Sequence, residues 1–227
     1  MNRPSWTLSA DLYSEDYFTD RHSGQDTRRE ESYAQEIARI QSYALSGKVL
    51  DVGCGTGAFL HHFDENAWEK YGIEVSAYAS REAEKQGIRM IGYEYRPDFF
   101  DLIVMRGVLQ HLDKPLWTIQ ACRNMLKPGG LLVFLATPNT NSPMYRLFGE
   151  LPMLDAERNF VLFSDTMLRQ ILANLGLHVI RFEYPYLESP YAKPVSDHLK
   201  FFLRFFGLKS QFAFWRNMME CYARKPE

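Results

Sequence analysis

At 227 residues the chain is about 1.5 times a typical domain of roughly 150 residues, enough for one enlarged domain with a sizeable core. A hydrophobic share of 46% against 24% charged residues excludes a disordered or collagen-like chain, and the net charge of -2 offers no general attraction to nucleic acid or to anionic membranes. Cys54, Cys122 and Cys221 have neither disulfide-framework nor zinc-ligand spacing, which points to a reducing compartment.

Residues 1–26 are polar and turn-rich but carry Trp6, Tyr13, Tyr17 and Phe18, an aromatic set suited to docking rather than to a loose tail. No stretch there reads as a signal peptide, and no run approaches the ~20 apolar residues of a membrane span, so the expected location is the cytoplasm. Residues 27–45 read as an amphipathic helix with Tyr33, Ile37, Ile40 and Ala44 on one face. Beyond them, short apolar runs alternate with helical stretches, the pattern of a βαβ-wound sheet. Strands are predicted at 48–52, 71–75, 88–91, 101–105 and 131–136, and helices at 57–65, 77–86 and 115–126, the last stopped by Lys127-Pro128-Gly129-Gly130. After Thr137-Pro138-Asn139 the pattern loosens. Ser164-Asp165 then caps a helix at 165–175 closed by Gly176, followed by a strand at 177–184, a helix at 196–206 and a final strand near 215–224.

The most informative stretch is VLDVGCGTGAFL, residues 49–60, where Gly53, Gly55 and Gly57 form a tight turn between a strand and a helix, with Asp51 inside the strand. Glycines there allow a sharp turn and let a ligand approach bare backbone. Glu74 closes the next apolar strand, 17 residues beyond Gly57, where an acid can accept hydrogen bonds from both hydroxyls of a ribose. Loop and acid together read as an adenosine site; the spacing is GxGxG rather than the dinucleotide GxGxxG.

This set resembles motif I and its companions in the class I S-adenosylmethionine-dependent methyltransferases: FFDLIVM (99–105), VLQHLDKP (108–115) and LKPGGLLVF (126–134) follow in the family's order. The resemblance covers residues 46–139 and, more weakly, 163–177, and TPN is similar to the branch acting in polysaccharide and small-molecule pathways. It implies S-adenosylmethionine as cofactor, held by Asp51, Gly53, Cys54, Gly55, Gly57, Glu74, Val75, Tyr93 and Arg106. The backbone of Gly53, Cys54 and Gly55 would face the methionyl part, Glu74 the ribose, Val75 and Tyr93 or Glu94 the adenine, and Arg106 the carboxylate or the substrate mouth. The chain departs from the family in lacking a clear Asp after the third strand and in carrying Gln110 where relatives often have Glu. The implied fold is α/β: a Rossmann-like, seven-stranded, mostly parallel sheet with an antiparallel last strand and helices on both faces. Residues 1–227 would form a single methyltransferase domain, with a lid at 1–45, a cofactor-binding core at 46–139, and insertions at 140–165 and 185–214 shaping the acceptor pocket.

Methyl transfer is an in-line displacement, so positioning carries much of the catalysis and a base is needed only for a hydroxyl or protonated amine. His111, after the fourth strand, is the candidate base. His61-His62 lacks a metal-ligand spacing, so no metal is expected, and His22 is a candidate lid residue. The tail is unusually aromatic: twelve of the Phe, Tyr and Trp residues lie after residue 181. Its helix, with Leu199, Phe202, Leu203 and Phe206 on one face, reads either as packing against the sheet or a homodimer partner, or as a wall of the acceptor pocket. A third reading, for the segment 199–215, is a peripheral lipid contact with Lys200, Arg204 and Lys209 at the interface. The expected reaction is O-methylation of a small molecule or glycan; the alternatives are an NAD(P)-dependent oxidoreductase and a non-catalytic partner protein that keeps the cofactor fold.

Overall fold

The computed structural model describes residue 18 and residues 26–93, 96–151, 159–189, 191–207 and 212–227. Among these, seven strands form one sheet in the order β3-β2-β1-β4-β5-β7-β6: β1 Gly47–Val52, β2 Trp68–Ile73, β3 Arg89–Met90, β4 Phe100–Arg106, β5 Leu126–Pro138, β6 His178–Glu183 and β7 Met218–Arg224. The first five strands pair in parallel, and β7 runs antiparallel to both β5 and β6. The Rossmann-like sheet with an antiparallel last strand is therefore the architecture of the chain. Strand order reverses at the β1/β4 pair, which opens a crevice at the carboxyl edge of the sheet.

The strands form because their residues alternate between two buried faces. On one side Leu50, Val52, Ile103, Met105, Leu132 and Phe134 pack with Ile119, Cys122 and Met125 of α4 (Pro115–Met125) and with Leu168 and Leu172 of α6 (Asp165–Asn174). On the other, Val49, Leu102, Val104, Leu131, Val133 and Leu135 pack with Tyr33, Ile37 and Ile40 of α1 (Asp26–Gln41). A period-two strand buried on both faces reads as a continuous apolar run, as KVLDV and LIVM do.

Several predicted boundaries move, each for a local reason. The helix expected at 57–65 is only α2, Ala58–His61, because Asp64 turns the chain: its carboxylate takes the Asn66 amide at 2.9 Å and its carbonyl takes those of Ala67 and Trp68. β5 begins at Leu126 rather than 131, since the Lys-Pro-Gly-Gly segment is a bulge within the strand, stitched to Lys225 through Gly129 N and Gly130 O. The last strand starts at Met218 because Arg216 takes a left-handed turn at φ 63. A short helix absent from the sequence reading, α5 (Pro143–Phe148), has a full local signature: Ser142 caps it by accepting the Tyr145 amide, Pro143 opens it and Gly149 ends it at φ 68. α3 spans Ala77–Lys85, capped by Ser76.

The aromatic tail builds its own small core. Helix α7 (Pro194–Arg204) lays Phe201 against Phe214, stacked at 4.3 Å, over Met144, Leu151 and Phe212. Its packing partners are α5 and the 212–214 segment, not the sheet face considered from sequence.

Candidate functional site

The carboxyl ends of β1, β2 and β4 bring the glycine loop, both acids and the 3-10 turn Leu109–His111 to one edge of the sheet. Gly53 and Cys54 donate their amides to the Ile73 carbonyl at 2.7 and 3.2 Å, which sews the loop to β2. Gly53 (φ 75) and Gly57 (φ 91) both need the left-handed region, and a Cβ at either would strike Val108 or Ile88 at 2.3 Å. These two glycines serve the turn and its packing. Gly55 differs: the nearest atom to where its Cβ would stand is in the Phe18 ring, at 3.4 Å, an ordinary contact with a side chain from outside the loop. The Cys54 thiol is buried against Gly72, and burial pushes its pKa up, which suits a packing residue rather than a nucleophile.

Glu74 folds back over this loop. Its Oε2 accepts the Gly55 amide at 2.9 Å and its Oε1 the Ser76 amide at 2.8 Å. Each carboxylate oxygen has a second lone pair beyond these bonds, which is what a vicinal diol needs. Val75 beside it is 57% exposed, while Tyr93 is half-buried with its ring edge-on to Trp117 at 5.5 Å. Glu94 and His22 lie outside the described residues.

Asp51 sits at the base of the crevice, in register with Gly72 and Val104, and is almost wholly buried. Its Oδ1 has no hydrogen-bond partner. Burial pushes the carboxyl pKa up to about 8 against the pull of Arg106, and Glu74 and Glu36 add to the rise. An orphaned buried carboxylate oxygen at the end of the strand that opens into the glycine loop is a place for a cationic group.

Arg106 and His111 both have partners within the protein. Arg106 donates from Nε to Glu36 Oε2 at 2.6 Å and from Nη2 to Oε1 at 3.1 Å, and it lies 4.5 Å over the Tyr33 ring. Its guanidinium fork thus anchors α1 to the end of β4. The Gln110 amide nitrogen donates to the Gly107 carbonyl at 3.0 Å and lies 3.1 Å from His111 Nε2. That amide can donate to Nε2 where the imidazole carries its proton on Nδ1. No group of three or more His, Cys, Asp or Glu side chains that could hold a metal occurs among the described residues.

A second polar centre lies at the end of β5. Asn139 Oδ1 accepts the amides of Asn141 and Asp165, and Asp165 receives Tyr184, Arg216 and Thr166. Ala136, at φ 48, and Arg216, at φ 63, are strained non-glycine positions on this edge. Glu36 and this Asn139–Asp165 centre were not assigned roles from sequence. Arg106 and Glu36 are 70 residues apart and Arg216 and Asp165 are 51 apart, so no local pattern links them.

The methyltransferase-domain family matches residues 26–181, more than half of the chain. The chain belongs to this family. Among its relatives, the ubiquinone biosynthesis O-methyltransferase of Nitrosospira multiformis is 31% identical over 115 residues, 44% of this chain and 47% of the relative. The malonyl-[acyl-carrier protein] O-methyltransferase of a Paenibacillus species is 27% identical over 173 residues, 66% of this chain and 62% of the relative. This methyltransferase domain spans about half the length of the curated relatives it matches first. A SAM-dependent methyltransferase structure from Thermotoga maritima superposes with a TM-score of 0.64 at 16% identity, over 92% of this chain and 97% of that one. S-adenosylmethionine is the cofactor of the family. The residues present fit it: the orphaned Asp51 oxygen matches its cationic end and the remaining lone pairs of Glu74 its ribose diol.

Proposed function

We propose that the chain transfers a methyl group from S-adenosylmethionine to an oxygen of a small molecule or glycan intermediate. The observation that carries this reading is the buried, unpartnered Asp51 oxygen set beside a glycine loop that Glu74 caps. When bound, the cofactor supplies a methyl group already activated on a sulfonium. Asp51 balances its positive charge, Glu74 holds the ribose, and the exposed Val75 with Tyr93 offers apolar surface to the base. His111 is the proposed proton acceptor: its Nε2, 3.1 Å from the Gln110 amide nitrogen, exchanges that neighbour for the acceptor's hydroxyl. The names of the relatives support oxygen as the accepting atom.

The test is incubation with S-adenosylmethionine labelled in its methyl group and a panel of hydroxylated small molecules and glycans. Labelled product with stoichiometric S-adenosylhomocysteine supports the reading. Thermal stabilisation by NAD and not by S-adenosylhomocysteine contradicts it.

A further inference from the structure

Helix α7 has two faces with different business. Inward, Phe201 and Phe205 meet Phe148, the buried Asp197 accepts the Lys193 amide and the Tyr186 hydroxyl, and Arg204 pairs with Glu150. Outward, Val195, Leu199, Phe202 and Phe206 recur at spacings of four, three and four, which at about 100° per residue confines them to an arc of roughly 60°. Val195 is 88% and Phe206 74% exposed, and Leu199 and Phe202 are each more than half exposed. An apolar stripe of this kind, in a helix too short and too polar to cross a bilayer, belongs against another surface.

Area and charge decide which surface. Taking ~150–250 Å² per aromatic side chain, the stripe offers roughly 500 Å², less than the about 800 Å² per partner of a stable protein interface. The acid of the helix, Asp197, is buried and its carboxylate is taken up by its own neighbours. On one flank of the helix, about 130–150° round from the centre of the stripe, stand Lys193, exposed, and Lys200, half-exposed, while Arg204 is withdrawn into its ion pair. That flank is cationic although the whole chain is at -2, so attraction to anions is local to this helix. We propose that α7 docks the protein on the surface of an anionic lipid bilayer, with the Val195–Phe206 stripe among the acyl chains and Lys193 and Lys200 at the headgroup phosphates. No residue of this stripe is among those assigned to the cofactor, so the proposal does not depend on the proposed reaction.

The test is co-sedimentation of the full chain with phosphatidylcholine vesicles, with and without phosphatidylglycerol. The wild type pellets with the phosphatidylglycerol vesicles and stays in solution with phosphatidylcholine alone. The double substitution F202S/F206S lowers vesicle affinity at least tenfold while the melting curve and S-adenosylhomocysteine affinity hold. Should that variant not fold, V195S/L199S, on the most exposed turn of the stripe, gives the same reading. Three results overturn the proposal: no pelleting of the wild type, equal pelleting of folded variant and wild type, or a wild-type dimer in sedimentation velocity that F202S/F206S dissociates.

Discussion

Asp51 holds its proton up to about pH 8 because burial outweighs the neighbouring Arg106 guanidinium. The sign of the consequence is fixed by linkage. In the unfolded chain the carboxyl is ionised above about pH 4, so ligand-free stability falls as pH climbs from there toward 8. A cation placed against Oδ1 reverses the preference and expels the proton. S-adenosylmethionine affinity should therefore rise between pH 6 and 8, by at most about tenfold per unit, and level off above. Calorimetry in two buffers of different ionisation enthalpy would show the released proton; flat affinity with no proton release would remove Asp51 from the site. His111 offers a second residue-scale prediction. His111→Ala should cut turnover roughly 10²-fold or more while cofactor affinity holds. Unchanged turnover would leave His111 as a packing partner of Gln110 only.

At the scale of elements, α1 is the part that the glycine motif does not explain. It is pinned to the sheet at two points: Glu36 to Arg106 at the end of β4, and Arg39 to Glu220 of β7 at 3.1 Å. The first pair is largely out of water, with 5% and 18% of the two side chains exposed. Glu36→Ala leaves a guanidinium buried without its partner, and the expected loss is about 3–5 kcal/mol in a denaturant melt. Replacing both partners, Glu36→Leu with Arg106→Met, should recover most of it, since a matched apolar pair carries no stranded charge. If the double variant is no more stable than the single, the ion pair is not what ties α1 down. The elements themselves were mostly legible. Strands such as KVLDV and LIVM declare themselves by unbroken apolar character, and α6 by its Ser164 cap and closing Gly176. What moved were ends decided by side chains that bond the backbone, as at Asp64, and α5, whose Ser-Pro start and Gly end were readable but whose core exists only once Phe148 meets Phe201.

For the whole molecule, the division is between local and distant information. The cofactor edge could be read because its parts follow one another along β1, the loop and β2, and the fold needs them in that order. The Asn139–Asp165–Arg216 centre and the Glu36–Arg106 anchor could not, because their members meet only after the sheet has closed. The aromatic surplus follows the same rule. Its abundance after residue 181 was evident, but only packing separates Phe201 and Phe214, stacked in a small core, from Phe202 and Phe206, left on the outside.

All of this turns on whether the loop and Glu74 bind the cofactor. Titrating S-adenosylmethionine into the wild type and Glu74→Ala by calorimetry tests it most directly. A saturable wild-type isotherm, weakened roughly tenfold to a hundredfold in the variant as hydrogen bonds to a charged group are lost, is the expected result. Equal affinity of the two proteins, or no binding to the wild type, would contradict the account.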